Sequence, residues 1–141
     1  MISQDEMVRR AVEYVRMIAN GGCDESWLAD DMRAWSLSMG YNPRANFWPR
    51  LKTVARAFAA PLEMTVDSTT LQDDRVAVQA HSLGRMINGE DYTNDYLFLI
   101  LFDAAGKIRE AREYFHVVKL REGLMPVILA LEEADRAASA G

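Results

Sequence analysis

The sequence predicts an α+β domain, with helices first and a meander of four long antiparallel strands after them. Two observations carry this. Apolar residues recur at helical spacing as far as Phe58, and from Leu62 onward they alternate with period two. Asn88-Gly89 stands between two of the alternating runs and suits a tight hairpin turn, because both residues tolerate positive φ.

Val8, Ala11, Val12, Val15, Ile18 and Ala19 make one apolar stripe and predict a helix over 5–19, which Asn20-Gly21-Gly22 stops. Asp24 is placed to cap a short second helix in "DESWLADD", and "MRAWSLS" then reads as a short strand. "GYNPRAN" reads as a loop. Leu51, Val54, Ala55 and Phe58 face one way in a helix over 47–58, with Pro49 in its first turn, where the missing N–H is harmless, and Pro61 after its end. Strands follow in "LEMTVDSTTL", "RVAVQAHSLGRMI", "YTNDYLFLILF" and "KIREAREYFHVV", with turns at Asp73-Asp74, Asn88-Gly89 and "DAAG". A last helix is expected over about 125–138, with Pro126 in its first turn and Leu124, Ile128 and Leu131 as its buried stripe.

At 141 residues the chain reads as a single domain, 1–141, long enough to bury a core. A net charge of −5 argues against a nucleic-acid partner, which calls for a basic face. The N-terminal stretch "MISQDEMVRRAVEY" lacks the apolar core of a signal peptide, the longest apolar run is "YLFLILF", and Cys23 is the one cysteine. These features give the expectation of a cytoplasmic protein without a membrane span or disulfide. No zinc-type spacing, phosphate loop or dinucleotide fingerprint is present, so neither a metal nor a cofactor is expected. "YLFLILF" is apolar on both faces, Leu97, Leu99 and Leu101 against Phe98, Ile100 and Phe102. A purely solvated outer face alternates with polar residues, so a homodimer is expected.

Two stretches carry a family resemblance. "YVRMIANGGCDESWLADDMRAW" resembles the first helix, glycine turn and "ADD" strand entry of nuclear transport factor 2-like proteins, in particular the SnoaL-like and ketosteroid-isomerase-like branches. "YTNDYLFLILFDAAGKIREAREYFH" resembles their closing strands. The resemblance implies a cone-shaped α+β barrel, in which N-terminal helices pack on a curved, mostly antiparallel sheet and enclose a pocket. Enzymes and plain binding proteins share that fold, so function rests on the site.

The resemblance also tests chemistries. Tyr14 matches the tyrosine of the steroid isomerases, but the positions of their two carboxylates fall near Ser36 and Phe98, so that mechanism does not fit. The limonene epoxide hydrolases need an Arg-x-Asp pair where this chain has Gln79 and His81. SnoaL-like cyclases imply an acid/base at His116, scytalone dehydratase implies a set such as His81, His116, Tyr14 and Tyr114, and the phenazine biosynthesis A/B proteins imply Glu113 as a secondary candidate.

Strand alternation groups His116, Tyr114, Arg112 and Glu110 on one face and Phe115, Glu113 and Ala111 on the other. The family pattern turns the His116 face inward. The candidate catalytic residues are therefore His116, Tyr14 and His81, and the candidate substrate contacts are Tyr114, Asn94, Trp35, Phe98 and Trp48. Together they imply proton-transfer chemistry of isomerase, dehydratase or cyclase type on an apolar, oxygenated, cyclic molecule. The alternative is a binding protein that holds a small apolar ligand without chemistry.

Overall fold

The computed structural model describes residues 2–140. Helix α1 (Gln4–Met17) starts where the Ser3 hydroxyl accepts the Glu6 N–H at 3.1 Å, and it buries Met7, Ala11, Tyr14 and Val15. Asp24 caps the next element as expected, accepting the Ser26 N–H at 2.9 Å, but that element is a single 3-10 turn, Glu25–Trp27. Strand β1 (Leu28–Ser36) takes the rest of the expected helix, because its backbone finds partners in the sheet and Leu28, Ala29 and Met32 go into the core. Where the sequence reads as a loop, β2 (Gly40–Pro43) pairs with β1 across a turn that Gly40 closes at φ +66°. The expected helix over 47–58 is observed as α3 (Arg50–Arg56), which Pro49 opens, while a separate turn, α2 (Arg44–Phe47), forms in the end of the expected loop.

The remaining strands are β3 (Glu63–Gln72), β4 (Arg75–Arg85), β5 (Asp91–Phe102) and β6 (Ile108–Phe115). They complete a six-stranded sheet of order β2-β1-β6-β5-β4-β3, antiparallel throughout except for the β1–β6 pair. The predicted α+β architecture is thus the observed one. Helix α1 packs on one face of β3, β4 and β5, over a core of Val76, Val78, Phe98, Ile100 and Phe102.

One local irregularity decides which residues of β6 face inward. Phe102 pairs with Ile108, yet Leu101 pairs with Glu110, so Arg109 is an extra residue, a β-bulge. Its guanidinium secures the bulge, with Nε donating to the Phe102 carbonyl at 3.3 Å and Nη2 to Asp74 at 3.1 Å. Beyond the bulge Phe98 lies opposite Glu113 and Ile100 opposite Ala111. Phe98 and Ile100 point into the core, so Glu113 and Ala111 point there too.

Strand β6 also ends earlier than its sequence pattern suggests. His116 is the N-cap of a helical turn, α4 (Val117–Lys119), which runs through a π turn (Leu120–Leu124) into α5 (Met125–Ala140). Asn94 pins the switch, accepting the His116 N–H at 3.0 Å and donating to its carbonyl at 3.2 Å. Leu124, Val127 and Ile128 bury themselves against Phe58, Leu62, Met86 and Tyr92, while Leu131 is only partly buried. Two ion pairs hold α5 against α3, Arg50–Glu132 at 3.1 Å and Arg56–Asp135 at 2.9 Å. Among the described residues no helix is long and apolar enough to cross a membrane.

Candidate functional site

A cavity of about 180 Å³ lies between the inner face of the sheet, the C-terminal part of α1, α3 and α5. Ala34, Phe98 and Ala111 floor it; Leu51, Val54 and Ile128 come from the helices above. Ser36, Ser38 and Asn42 of the β1–β2 hairpin also border it, as does Arg50, whose charge is engaged by Glu132. The lining is otherwise apolar apart from one carboxyl and three phenols.

The carboxyl is Glu113. On β6 it stands between Ser36 of β1 and Phe98 of β5. Its side chain keeps some accessible surface, but that surface faces the cavity rather than bulk water. Among the described residues no side chain or backbone group donates a hydrogen bond to it, and no cation pairs with it. Burial alone therefore acts on it and raises its pKa from 4.5 to about 7. A carboxyl poised there exchanges protons readily near neutrality.

The phenols are Tyr14, Tyr92 and Tyr96. Tyr14 is buried, and its hydroxyl has no hydrogen-bond partner among the described residues, so it fronts the cavity. Trp48 stands behind it, with ring centroids 6.5 Å apart, and packs over Gly22, where a Cβ would come within 2.6 Å of the indole. Gly22 also has φ +98°, so the glycine turn after α1 is what lets Trp48 brace the Tyr14 ring. Tyr92 and Tyr96 come from β5, where the Tyr92 hydroxyl accepts from Asn94 Nδ2 at 2.7 Å and the Tyr96 hydroxyl is 2.9 Å from Ser82 Oγ. Burial pushes all three phenols above the ordinary tyrosine range, and the nearby Glu113 charge pushes in the same direction.

The structure brings Tyr14, Phe98 and Trp35 to the cavity and places the other sequence candidates elsewhere. His116 is exposed at the end of β6, and its Nδ1 accepts the Lys119 N–H at 3.3 Å, so its geometry is that of a helix cap. His81 is exposed on the opposite face of the sheet, with Nδ1 2.8 Å from Asp67. Tyr114 shares that outer face: its ring lies 5.1 Å from Trp35, and Arg112 sits 4.3 Å over the Trp35 ring. Trp35 borders the cavity while its indole packs against Tyr114 and Arg112, Trp48 supports Tyr14 from behind, and Asn94 is buried in the turn it ties together.

The inward reading of the His116 face is thus corrected, and the bulge is the reason. Continued without Arg109, the Phe102–Ile108 pairing sets Arg112 opposite Phe98 and Tyr114 opposite Tyr96, which is the expected phase. Glu113 and Tyr92 line the cavity, and neither histidine does. A carboxylate on the face that carries Ala111 and Phe115 was the available signal for Glu113.

No family model matches the sequence, and no curated protein matches it. Solved structures do. AclR from Streptomyces galilaeus, named as a hydroxylase, is 19% identical with TM-score 0.70, and the match covers 98% of this chain and 95% of that one. A nuclear transport factor 2-like protein from Anabaena variabilis is 19% identical with TM-score 0.67, over 82% and 93% of the two chains. A protein from Jannaschia named as a SnoaL-like polyketide cyclase is 16% identical with TM-score 0.66, over 88% and 96%. The chain has the nuclear transport factor 2-like fold.

Proposed function

We propose that this protein is a cofactor-free enzyme in which Glu113 moves a proton on a neutral, largely apolar molecule that carries at least one oxygen. The observation that supports this most is an unpaired carboxyl in an apolar cavity, at about 7 in pKa. An apolar lining favours an uncharged ligand, and a second negative charge beside Glu113 is disfavoured. In the simplest reaction Glu113 takes a proton from a carbon next to a carbonyl. The C–H bond breaks, its electron pair delocalises onto the carbonyl oxygen, and the proton returns at the same or another carbon. Isomerisation, dehydration and ring closure all build on that step. The SnoaL-like neighbour named as a cyclase lends the reading support from the same fold.

The test is α-proton exchange in D₂O on 1-indanone, a small bicyclic ketone with one aromatic ring, followed by NMR. Cavities of about 150 Å³ take one aromatic ring, so the probe suits this volume. Wild-type protein is expected to catalyse exchange with a rate that rises as pH climbs through about 7, because the base form is the carboxylate. Glu113→Gln is expected to lower the rate by roughly 10²–10⁴, the usual worth of a general base. Exchange unchanged by that substitution contradicts the reading.

A further inference from the structure

Tyr92 and Tyr96 carry an inference that deepens the proposed function and rests on the cavity being the substrate site. It follows from where their protons go. Asn94 is buried, and its Oδ1 accepts two backbone N–H groups, His116 at 3.0 Å and Asp95 at 2.8 Å. That fixes the amide's orientation, because only an oxygen accepts there. Nδ2 must then face the Tyr92 hydroxyl, at 2.7 Å, and a nitrogen of this kind only donates. The Tyr92 oxygen is therefore an acceptor in this bond, and its own proton is left over.

The same reasoning applies one step along the strand. Ser82 is buried, and its hydroxyl has one partner among the described residues, the Tyr96 hydroxyl at 2.9 Å. If Tyr96 donated, the serine proton would be stranded in a buried site at the full cost of desolvation. Ser82 donating to Tyr96 satisfies both groups and again leaves the phenol proton over. Tyr92 and Tyr96 lie on one face of β5 and both line the cavity, and their hydroxyls are close enough for the Tyr96 O–H to rest on the Tyr92 oxygen. An sp² oxygen bound beside the pair accepts the spare Tyr92 proton on one in-plane lone pair and, as the Tyr96 O–H turns from Tyr92 toward it, a second proton on the other. Tyr14, from another element, has no such partner to aim its proton.

We propose that Tyr92 and Tyr96 form a two-donor site for a ketone-type carbonyl oxygen, and that Asn94 and Ser82 are positioning residues that aim the two phenol protons. Held there, the carbonyl gains polarisation beside Glu113, and negative charge developing on its oxygen meets donors already in place. The substrate class is therefore a carbonyl compound rather than a simple alcohol or hydrocarbon.

The experiment compares 1-indanone with indane, which has the same ring system without the oxygen. In the wild type the bound ketone's C=O stretch is expected below its frequency in hexane. Tyr92→Phe and Tyr96→Phe should each move the band back up and raise the 1-indanone Kd by about 3- to 10-fold, while indane binding stays unchanged. Asn94→Asp turns the donor facing Tyr92 into an acceptor that captures the phenol proton, so it should move the band as Tyr92→Phe does, with the ring still present. Glu113→Gln should leave the band low while exchange is lost, so exchange that survives this substitution with the shift retained sinks the acid/base reading and leaves the oxygen site standing. A wild-type band at its hexane frequency, or one that neither phenylalanine variant moves, overturns the proposal. Indane binding without 1-indanone binding also overturns it, and if neither binds, the cavity reading falls and takes the proposal with it.

Discussion

At the scale of the residue, Glu113 sets the chemistry and also weakens the fold at neutral pH. Its folded pKa lies above its ordinary value, about 7 against 4.5, so between those values the folded state holds a proton that the unfolded state has lost. Stability from this group is fully present below about pH 4.5, declines as pH rises, and is gone above about 7. The shift corresponds to up to ~3 kcal/mol, at 1.36 kcal/mol per unit, less whatever water in the cavity returns. Glu113→Gln should therefore match the wild type in acid and exceed it in unfolding free energy above pH 7, measured by urea denaturation across that range. A constant difference at all pH values would mean that Glu113 does not titrate in the cavity. His81 runs in the same direction for a different cause: Asp67 raises its pKa, so its small, solvent-screened contribution is present in acid and lost as pH rises past its folded value. Residue identity alone favoured the histidines, whose ordinary pKa lies near neutrality. What moves a carboxyl into that range is burial, and burial on β6 depends on a register that the side chains do not declare.

At the scale of the element, the parts of the fold with strong local signals were legible and the parts set by tertiary partners were not. The β4–β5 hairpin follows from Asn88-Gly89, with Gly89 at φ +85°, and α1 follows from its apolar stripe. Strand β2 was hidden because "GYNP" gains strand geometry only by pairing with β1. The Arg109 bulge was hidden because one arginine in "KIREAREYF" looks like any other until it meets the Phe102 carbonyl and Asp74. The start of α4 was hidden because His116-Val117-Val118 favours a strand, and the Asn94 clamp overrides that preference. Helix α5 closes the cavity with Leu124 and Ile128, and the first of these stands in the π turn that feeds it. Ile128→Ala should cost about 2 kcal/mol, the low end for a buried large-to-small change because one side already meets a cavity. For a chain of this length that lowers Tm by roughly 4–8 °C. A calorimetric Tm equal to wild type would mean that α5 does not seal the pocket.

At the scale of the whole molecule, one face of the sheet holds the cavity and the other meets solvent. Leu97, Leu83 and Tyr41 are about half exposed, and Arg112 and Arg33 lie over the aromatic rings of Trp35 and Tyr41. An amphipathic face of this kind suits a twofold contact with a second copy, and a homodimer is the expected state. Light scattering at micromolar concentration should then give twice the 15.9 kDa of the chain, and a species of single-chain mass would remove the dimer. Such a contact leaves the inner face free, so the cavity chemistry stands apart from that outcome. The measurement that reaches that chemistry most directly is a ¹³C NMR titration of the Glu113 side-chain carboxyl in the ligand-free protein, with Glu113→Gln identifying the resonance. A midpoint at about 7 is the predicted result; a midpoint at the ordinary 4.5 would contradict a buried acid/base at the centre of the molecule.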